Sequence, residues 1–154
     1  AAAARPALRK RAREAGRPVI HVRHLGQPGG LFDADGHAGQ IVDQLSPQDG
    51  EAIIGKGLPN SFAGTDLKKT IDTLGVGQLV VTGFMTHMCV SATVRSAVDH
   101  GLFSTVVASA SATRDLPSAT GGGTVSARTV HEATLAALAD RFAVIAASSA
   151  DVPD

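Results

Sequence analysis

The sequence predicts an α/β protein in three layers, a Rossmann-like parallel sheet covered by helices, and three observations carry that prediction. Apolar runs of strand length alternate along the chain with segments of helical period. The run at 79–82 is apolar and β-branched without a polar interruption, the pattern of a strand buried on both faces of a parallel sheet. Hydrophobic residues make up 44% and charged residues 18%, with 17 glycines and five phenylalanines as the only aromatics, which suits close packing of small side chains and argues against disorder. At 154 residues the chain has the size of a single domain, and neither a repeat nor a second domain is visible.

Each element follows from local signals. Residues 3–16 read as a helix, with Leu8, Ala12 and Ala15 on one face and Gly16 followed by Pro18 as a stop. A short strand at 19–22 leads into a loop-rich stretch, 25–50, whose QPGG, DADG and SPQDG clusters are turn signals, with one helical turn expected at 41–45. A second strand at 52–54 delivers Lys56 into GKGLPNSF. A helix then starts near Thr65, with Leu67, Ile71 and Leu74 inward and Gly75 as its stop. After the strand at 79–82 comes a helix burying Val90, Val94, Ala97 and Val98, with Cys89 in its first turn. A strand at 102–108, a small-residue loop at 110–123, a helix at 124–140 and a strand at 142–147 complete the order.

A doubly wound sheet normally opens with a strand, and its first strand lies in the centre of a 3-2-1-4-5-6 order. This sequence opens with a helix. An empty central place would leave two strand edges unpaired, at a cost exceeding the ~5–15 kcal/mol stability of a domain. The expectation is therefore that residues upstream of Ala1, or another segment, fill that place.

Charge and composition narrow the function. The 14 basic and 14 acidic residues cancel, so no global field favours nucleic acid or a membrane surface. Arg5, Arg9, Lys10, Arg11, Arg13 and Arg17 crowd the first helix against Glu14, and the expectation is a solvated helix face. No apolar run approaches the ~20 residues of a membrane span, and no signal-peptide pattern is present. A single cysteine forms no internal disulfide, so a reducing cytoplasm is the expected location.

Chemistry concentrates at two strand ends. Cys89 falls at a predicted helix start, where free N–H groups and the helix dipole favour a thiolate. Lys56 follows a strand at the same carboxyl edge, where open α/β sheets bind ligands, and a cation there stabilises a thiolate or an oxyanion. The bland alternatives are a small buried hydrophobe for the cysteine and a solvated surface lysine. His87, two residues from Cys89, does not face it on a helix. His21 and His24 fall on opposite faces of their strand, and no metal signature or phosphate-binding glycine loop is evident.

The segment GFMTHMCVSATVRSAVDHG at 83–101 resembles the cysteine segment of the isochorismatase-like (cysteine hydrolase) superfamily, and IIGKGLPNSFAGTDL at 53–67 resembles its lysine segment. The likeness extends through GRPVIHVRH, SATRDLP and VHEATLAALADRFAVI and covers nearly the whole chain. It implies a Cys, Lys, Asp triad in which Cys89 is the nucleophile and Lys56 the cationic partner. It further implies a cis peptide at Phe84–Met85, backbone N–H groups of Met85 and Cys89 as an oxyanion hole, and Phe62 and Phe84 lining the substrate pocket. The implied aspartate belongs to the end of the first strand, and no residue of this sequence is assigned that role. Ser109 stands where many relatives carry an aspartate.

The implied activity is hydrolysis of a small amide or related C–N bond through a Cys89 thioester, without cofactor or metal, on a small-molecule substrate. Nucleic acid and membrane partners are not expected, and a homo-oligomer is. The metal-binding Asp-x-His arrangement of nicotinamidases is not found. Two alternatives are isochorismatase-type cleavage of a vinyl ether and a catalytically idle scaffold lacking the triad acid.

Overall fold

The computed structural model describes residues 4–30 and 32–152; the expected helix start at Ala3 and Leu31 of the long loop lie outside them. Helix α1 (Ala4–Glu14) is followed by strand β1 (Ile20–His24), and β2 (Ala52–Lys56) pairs with β1 in parallel from Ile20 opposite Ala52 to His24 opposite Lys56. Between them the loop makes two 3-10 turns, His37–Gly39 and Asp43–Leu45, the second inside the expected helical turn.

Helix α2 (Leu67–Leu74) begins with Thr65 Oγ1 accepting from the Leu67 N–H at 3.2 Å and ends at Gly75 in the left-handed conformation, as its composition requires. Strand β3 (Gln78–Phe84) then enters a π-helical turn, Thr86–Val90, that runs on into α3 (Ser91–Asp99). Cys89 therefore sits in a wider turn before α3 rather than in its first turn. β4 (Phe103–Ala112) is longer than the sequence suggests. The loop after it contains a small antiparallel hairpin, β5 (Leu116–Pro117) with β6 (Thr124–Val125).

Helix α4 (Ala127–Arg141) starts three residues later than expected, because Ser126 caps it through the Thr129 N–H at 3.2 Å and Asp115 Oδ1 accepts from the Ala127 N–H at 2.6 Å. Strand β7 (Val144–Ala146) completes a three-stranded parallel sheet in the order β3, β4, β7. A step of two along β3, Val81 to Gly83, is matched by a step of five along β4, Val106 to Ser111, and this irregularity brings Ser111 and Ala112 beside Gly83 and Phe84.

The α/β class is as expected, but the sheet is in two parts. β1 and β2 form one parallel pair, β3, β4 and β7 another sheet, and among the described residues no strand joins them. In a 3-2-1-4-5-6 order these correspond to the two flanks, and among the described residues no strand occupies the central place. Val80, expected to be buried on both sides, is 51% exposed, and among the described residues β3 pairs along one edge only. Leu74 and Val98, placed inward by their spacing, are exposed as well.

What connects the two sheets is a core of Ile54 from β2, Phe62, Leu67 and Ile71 from the lysine segment and α2, and Ala97 and Leu102 at the end of α3, with Ile20 of β1 and Leu79 of β3 packed against it. A second cluster, Val90, Val94, Val106, Leu135 and Leu138, seats the cysteine turn and α3 on α4 and β4. A third, Val107, Ala110, Ala146 and Val152, receives Ala4 and Leu8 of α1.

The basic helix face is not simply solvated. Arg5 Nε donates to Ala110 O at 3.0 Å, Arg9 to Ser46 O and Gln44 O, and Arg11 to Ser149 O and Val152 O at 2.7 and 2.6 Å. Arg13 forms a two-pronged pair with Glu51 at 2.6 and 2.8 Å. Guanidinium groups donate to backbone carbonyls of β4, the long loop and the turn at Ser149–Asp151, so the arginines strap α1 to the rest of the fold. Lys10 fits the solvated expectation, with an exposed pair to Glu14 at 3.6 Å.

Glu51 is the most heavily committed carboxylate of this strap. Arg13, the backbone N–H of Gln48 and His21 Nε2 at 2.7 Å all meet it. The side-chain hydrogen bond from Arg13, more than the opposing burial, holds its carboxyl well below the ordinary carboxylate range. A depressed folded-state value stabilises the fold at pH above the ordinary carboxylate value of ~4.3, and that contribution is lost as pH falls toward the folded value. Glu51→Gln is therefore expected to lower the thermal midpoint at neutral pH, with the deficit relative to wild type shrinking below about pH 4; calorimetry across pH checks this, and a pH-independent deficit contradicts it.

Candidate active site

Two strand ends from different sheets converge. Lys56 closes β2 with its side chain turned inward and only 5% of the residue exposed, so the surface-lysine alternative does not hold. Its ammonium donates to Leu58 O at 2.8 Å and lies 3.4 Å from Cys89 Sγ. An ammonium this close, with little water around it, is placed to stabilise negative charge on sulfur.

The turn that carries the sulfur is built from both ends. The Phe84–Met85 peptide is cis, at the position the family resemblance implies. Gly83 before it has φ 141°, a conformation that favours glycine. Met85 O accepts from the N–H groups of Met88 and Val90 at 3.0 and 3.2 Å, which closes the turn around Cys89. Thr86, fully buried, bonds His131 Nδ1 of α4 at 2.9 Å, and Val90 packs against Leu135 and Leu138 of the same helix.

Two imidazoles and a guanidinium lie on or against the elements that carry this site. His24, opposite Lys56 in the β1–β2 register, is pushed below its ordinary value by burial and then by the Lys56 charge, so it is neutral at neutral pH. His87 Nδ1 bonds Thr113 Oγ1 at 2.5 Å, and burial followed by the Arg114 charge pushes it below its ordinary value too. Arg5 lays its guanidinium over the Phe84 ring at 3.8 Å, a cation–π contact at the end of β3.

The two phenylalanines assigned to the pocket by resemblance part company. Phe84 is 53% exposed at the strand end beside the cysteine turn. Phe62 is 8% exposed, packs in the core between the sheets and stacks on His100, beyond the far end of α3, with ring centroids 4.7 Å apart. Its place in an apolar cluster makes it part of the core between the sheets.

Among the described residues no carboxylate is paired with Lys56 or Cys89. Asp33 accepts from Gly29 and Asp35 within its own loop, and Asp115 accepts from the first N–H of α4. No group of three His, Cys, Asp or Glu residues is arranged to hold a metal among the described residues. A groove of about 710 Å³ lies along the amino ends of β1 and β2 between Arg13, Ile20, Glu51, Lys69 and Leu74. It contains neither Cys89 nor Lys56, and ligands of open α/β sheets bind at the opposite, carboxyl edge.

Several contacts here were not anticipated from the sequence. Ser61, five residues past Lys56, donates its N–H to Thr93 Oγ1 at 3.0 Å, and Thr93 Oγ1 donates to Ser61 Oγ at 2.9 Å, both residues being buried. The available signal was Thr93 standing four residues after Cys89, a polar side chain on the inward face of an apolar helix. The Thr86–His131 bond left no comparable signal, since it joins residues 45 positions apart.

Comparison with known proteins agrees with this architecture. The isochorismatase domain pattern matches residues 2–150. The crystal structure of an isochorismatase from Pseudomonas putida KT2440 superposes with a TM-score of 0.93 at 45% identity, covering 99% of this chain and 77% of that one. An uncharacterized isochorismatase family protein of Bacillus subtilis, YddQ, is 40% identical over 90% of this chain and 77% of its own length. The N-carbamoylsarcosine amidase of an Arthrobacter species is 35% identical over 48% of this chain and 28% of its own. The chain belongs to the isochorismatase family of hydrolases. Among the described residues no helix is long and apolar enough to cross a membrane.

The separation of the two phenylalanines is measurable. Phe62→Ala is expected to destabilise the protein by about 3–5 kcal/mol through lost burial and the cavity left behind. Phe84→Ala is expected to cost less than about 1 kcal/mol, the order of an exposed cation–π contact. Denaturant titration of both variants checks the contrast, and equal losses contradict it.

Proposed function

We propose that the protein is a cysteine hydrolase that cleaves a small amide or related C–N bond through a thioester on Cys89. The observation that carries this reading is the 3.4 Å contact between Cys89 Sγ and the buried Lys56 ammonium at the carboxyl edge of the sheets. The naming of a homologous protein as an amidase supports the bond type.

In this scheme the Cys89 thiolate adds to the substrate carbonyl, and the carbonyl π electrons move onto oxygen. The backbone N–H groups of Met85 and Cys89, which flank the turn around the sulfur, receive that oxyanion. Collapse of the tetrahedral adduct breaks the C–N bond, and the amine leaves with the proton first taken from the thiol. Water then attacks the thioester, giving up a proton as the C–S bond breaks and the carboxylic acid departs. Lys56 stabilises charge on sulfur whenever sulfur carries it, before attack and again on departure. Proton transfer needs a carboxylate, and the family's triad assigns it to an aspartate at the end of the central strand, the place no described residue fills.

Phe84 contributes an apolar wall for the substrate, with Arg5 on its other side. The nucleophilic thiol must stay reduced, which suits a cytoplasmic enzyme; a homo-oligomer remains the proposed assembly.

The test is turnover of a panel of small primary amides and carbamoyl compounds by the full-length protein, followed by amine release. Cys89→Ala is expected to abolish turnover, and Lys56→Met to lower it by a factor of about 10²–10³, the order of one lost electrostatic stabiliser. Intact mass of the quenched enzyme should show an acyl adduct that is absent from Cys89→Ala. Undiminished turnover by Cys89→Ala, with isochorismate as the preferred substrate, would replace this reading by ether hydrolysis without a cysteine nucleophile.

A further inference from the structure

We propose that Thr93 is a positioning residue that sets the alignment of Lys56 with Cys89 by tying the lysine loop to the cysteine helix. This rests on the reading of Cys89 as a nucleophile assisted by Lys56.

The need for such a tie follows from the topology. Lys56 ends a strand of the two-stranded sheet, Cys89 follows a strand of the three-stranded sheet, and no backbone ladder connects the two among the described residues. The shared apolar core brings the sheets together, but apolar contact is non-directional and tolerates sliding. Hydrogen bonds between buried groups have a preferred distance and angle, so they define register where the core does not.

Thr93 supplies that direction. Its hydroxyl uses both of its capacities on one residue, accepting from the Ser61 N–H at 3.0 Å and donating to Ser61 Oγ at 2.9 Å. Ser61 O in turn accepts from Thr65 Oγ1 at 2.5 Å, so the loop is anchored on either side of this residue. The anchor lies five residues beyond Lys56 on one segment and four beyond Cys89 on the other. Lys56 Nζ also holds Leu58 O, within the stretch so pinned. Thr93 does not touch the reacting atoms; its influence passes through Ser61 and the loop to the ammonium.

The test uses the second-order rate of iodoacetamide alkylation in the full chain, read by intact mass, because Cys89 is the only cysteine. Wild type is expected to react faster than the same thiol in the urea-unfolded chain. Thr93→Val, matched in shape but without the hydroxyl, is expected to slow the reaction by about threefold or more, and Thr93→Ser to stay within about twofold of wild type. Lys56→Met slows it as well, and adding Thr93→Val to Lys56→Met is expected to change the rate by less than about twofold, since both act through one contact.

A folded Thr93→Val protein that alkylates at the wild-type rate overturns the role of Thr93 and leaves the hydrolase reading intact. So does an equal further fall in the Lys56→Met background, which marks general damage to the helix. A wild-type rate equal to that of the unfolded chain overturns the hydrolase reading itself, and this proposal with it. If Thr93→Val does not fold, Ser61→Ala removes one of the two hydrogen bonds and runs through the same cycle with a smaller expected fall; no fall, or one that persists in the Lys56→Met background, overturns the proposal.

Discussion

The contact on which the site depends is that between the Lys56 ammonium and the Cys89 sulfur, because it is made between two sheets that share no hydrogen-bonded ladder among the described residues. Within either sheet, backbone pairing holds neighbours in register at fixed spacing. Across the break, register has to come from side chains. The molecule meets that need with an apolar core from β2, α2 and α3 and with the buried Ser61–Thr93 pair.

A similar division of labour governs the turn around Cys89. α4 fixes its outer side through Val90 in the apolar cluster and Thr86 bonded to His131, while Met85 O closes it from within. α4 is itself positioned by Ser126 and Asp115 at its first turn, so the hairpin after β4 and the cysteine turn are mechanically linked. On the other face α1 is strapped by arginines to carbonyls of β4, of the long loop and of the chain's last turn, and to Glu51 before β2. The helix that reads as a solvated basic surface thus ties the two sheets together.

Much of the fold was legible in the sequence because its signals are local. Gly75 ends α2, apolar spacing marks Ile71 and Val94 as inward, and β-branched runs mark β2 and β3. Errors fell where a partner distant in sequence decides the outcome. The hairpin at Leu116–Pro117 and Thr124–Val125 is too short to carry a strand pattern, and Val80 reads as buried because a strand's sequence does not show which of its edges are paired. Phe62 and Phe84 are equivalent as letters and opposite in placement, one in the inter-sheet core and the other exposed at the strand end.

By itself the sequence determined the order of the longer helices and strands and the two short segments that carry Cys89 and Lys56, since periodicity, caps and motif spacing are properties of neighbouring residues. Only the tertiary structure decided that these two side chains meet at 3.4 Å, that the arginines of α1 turn inward, and that Thr93 reaches Ser61. The physical reason is common to all three: each is a contact between side chains or loops far apart in the chain. Their meeting depends on how the two sheets pack around a shared core, which no local pattern encodes.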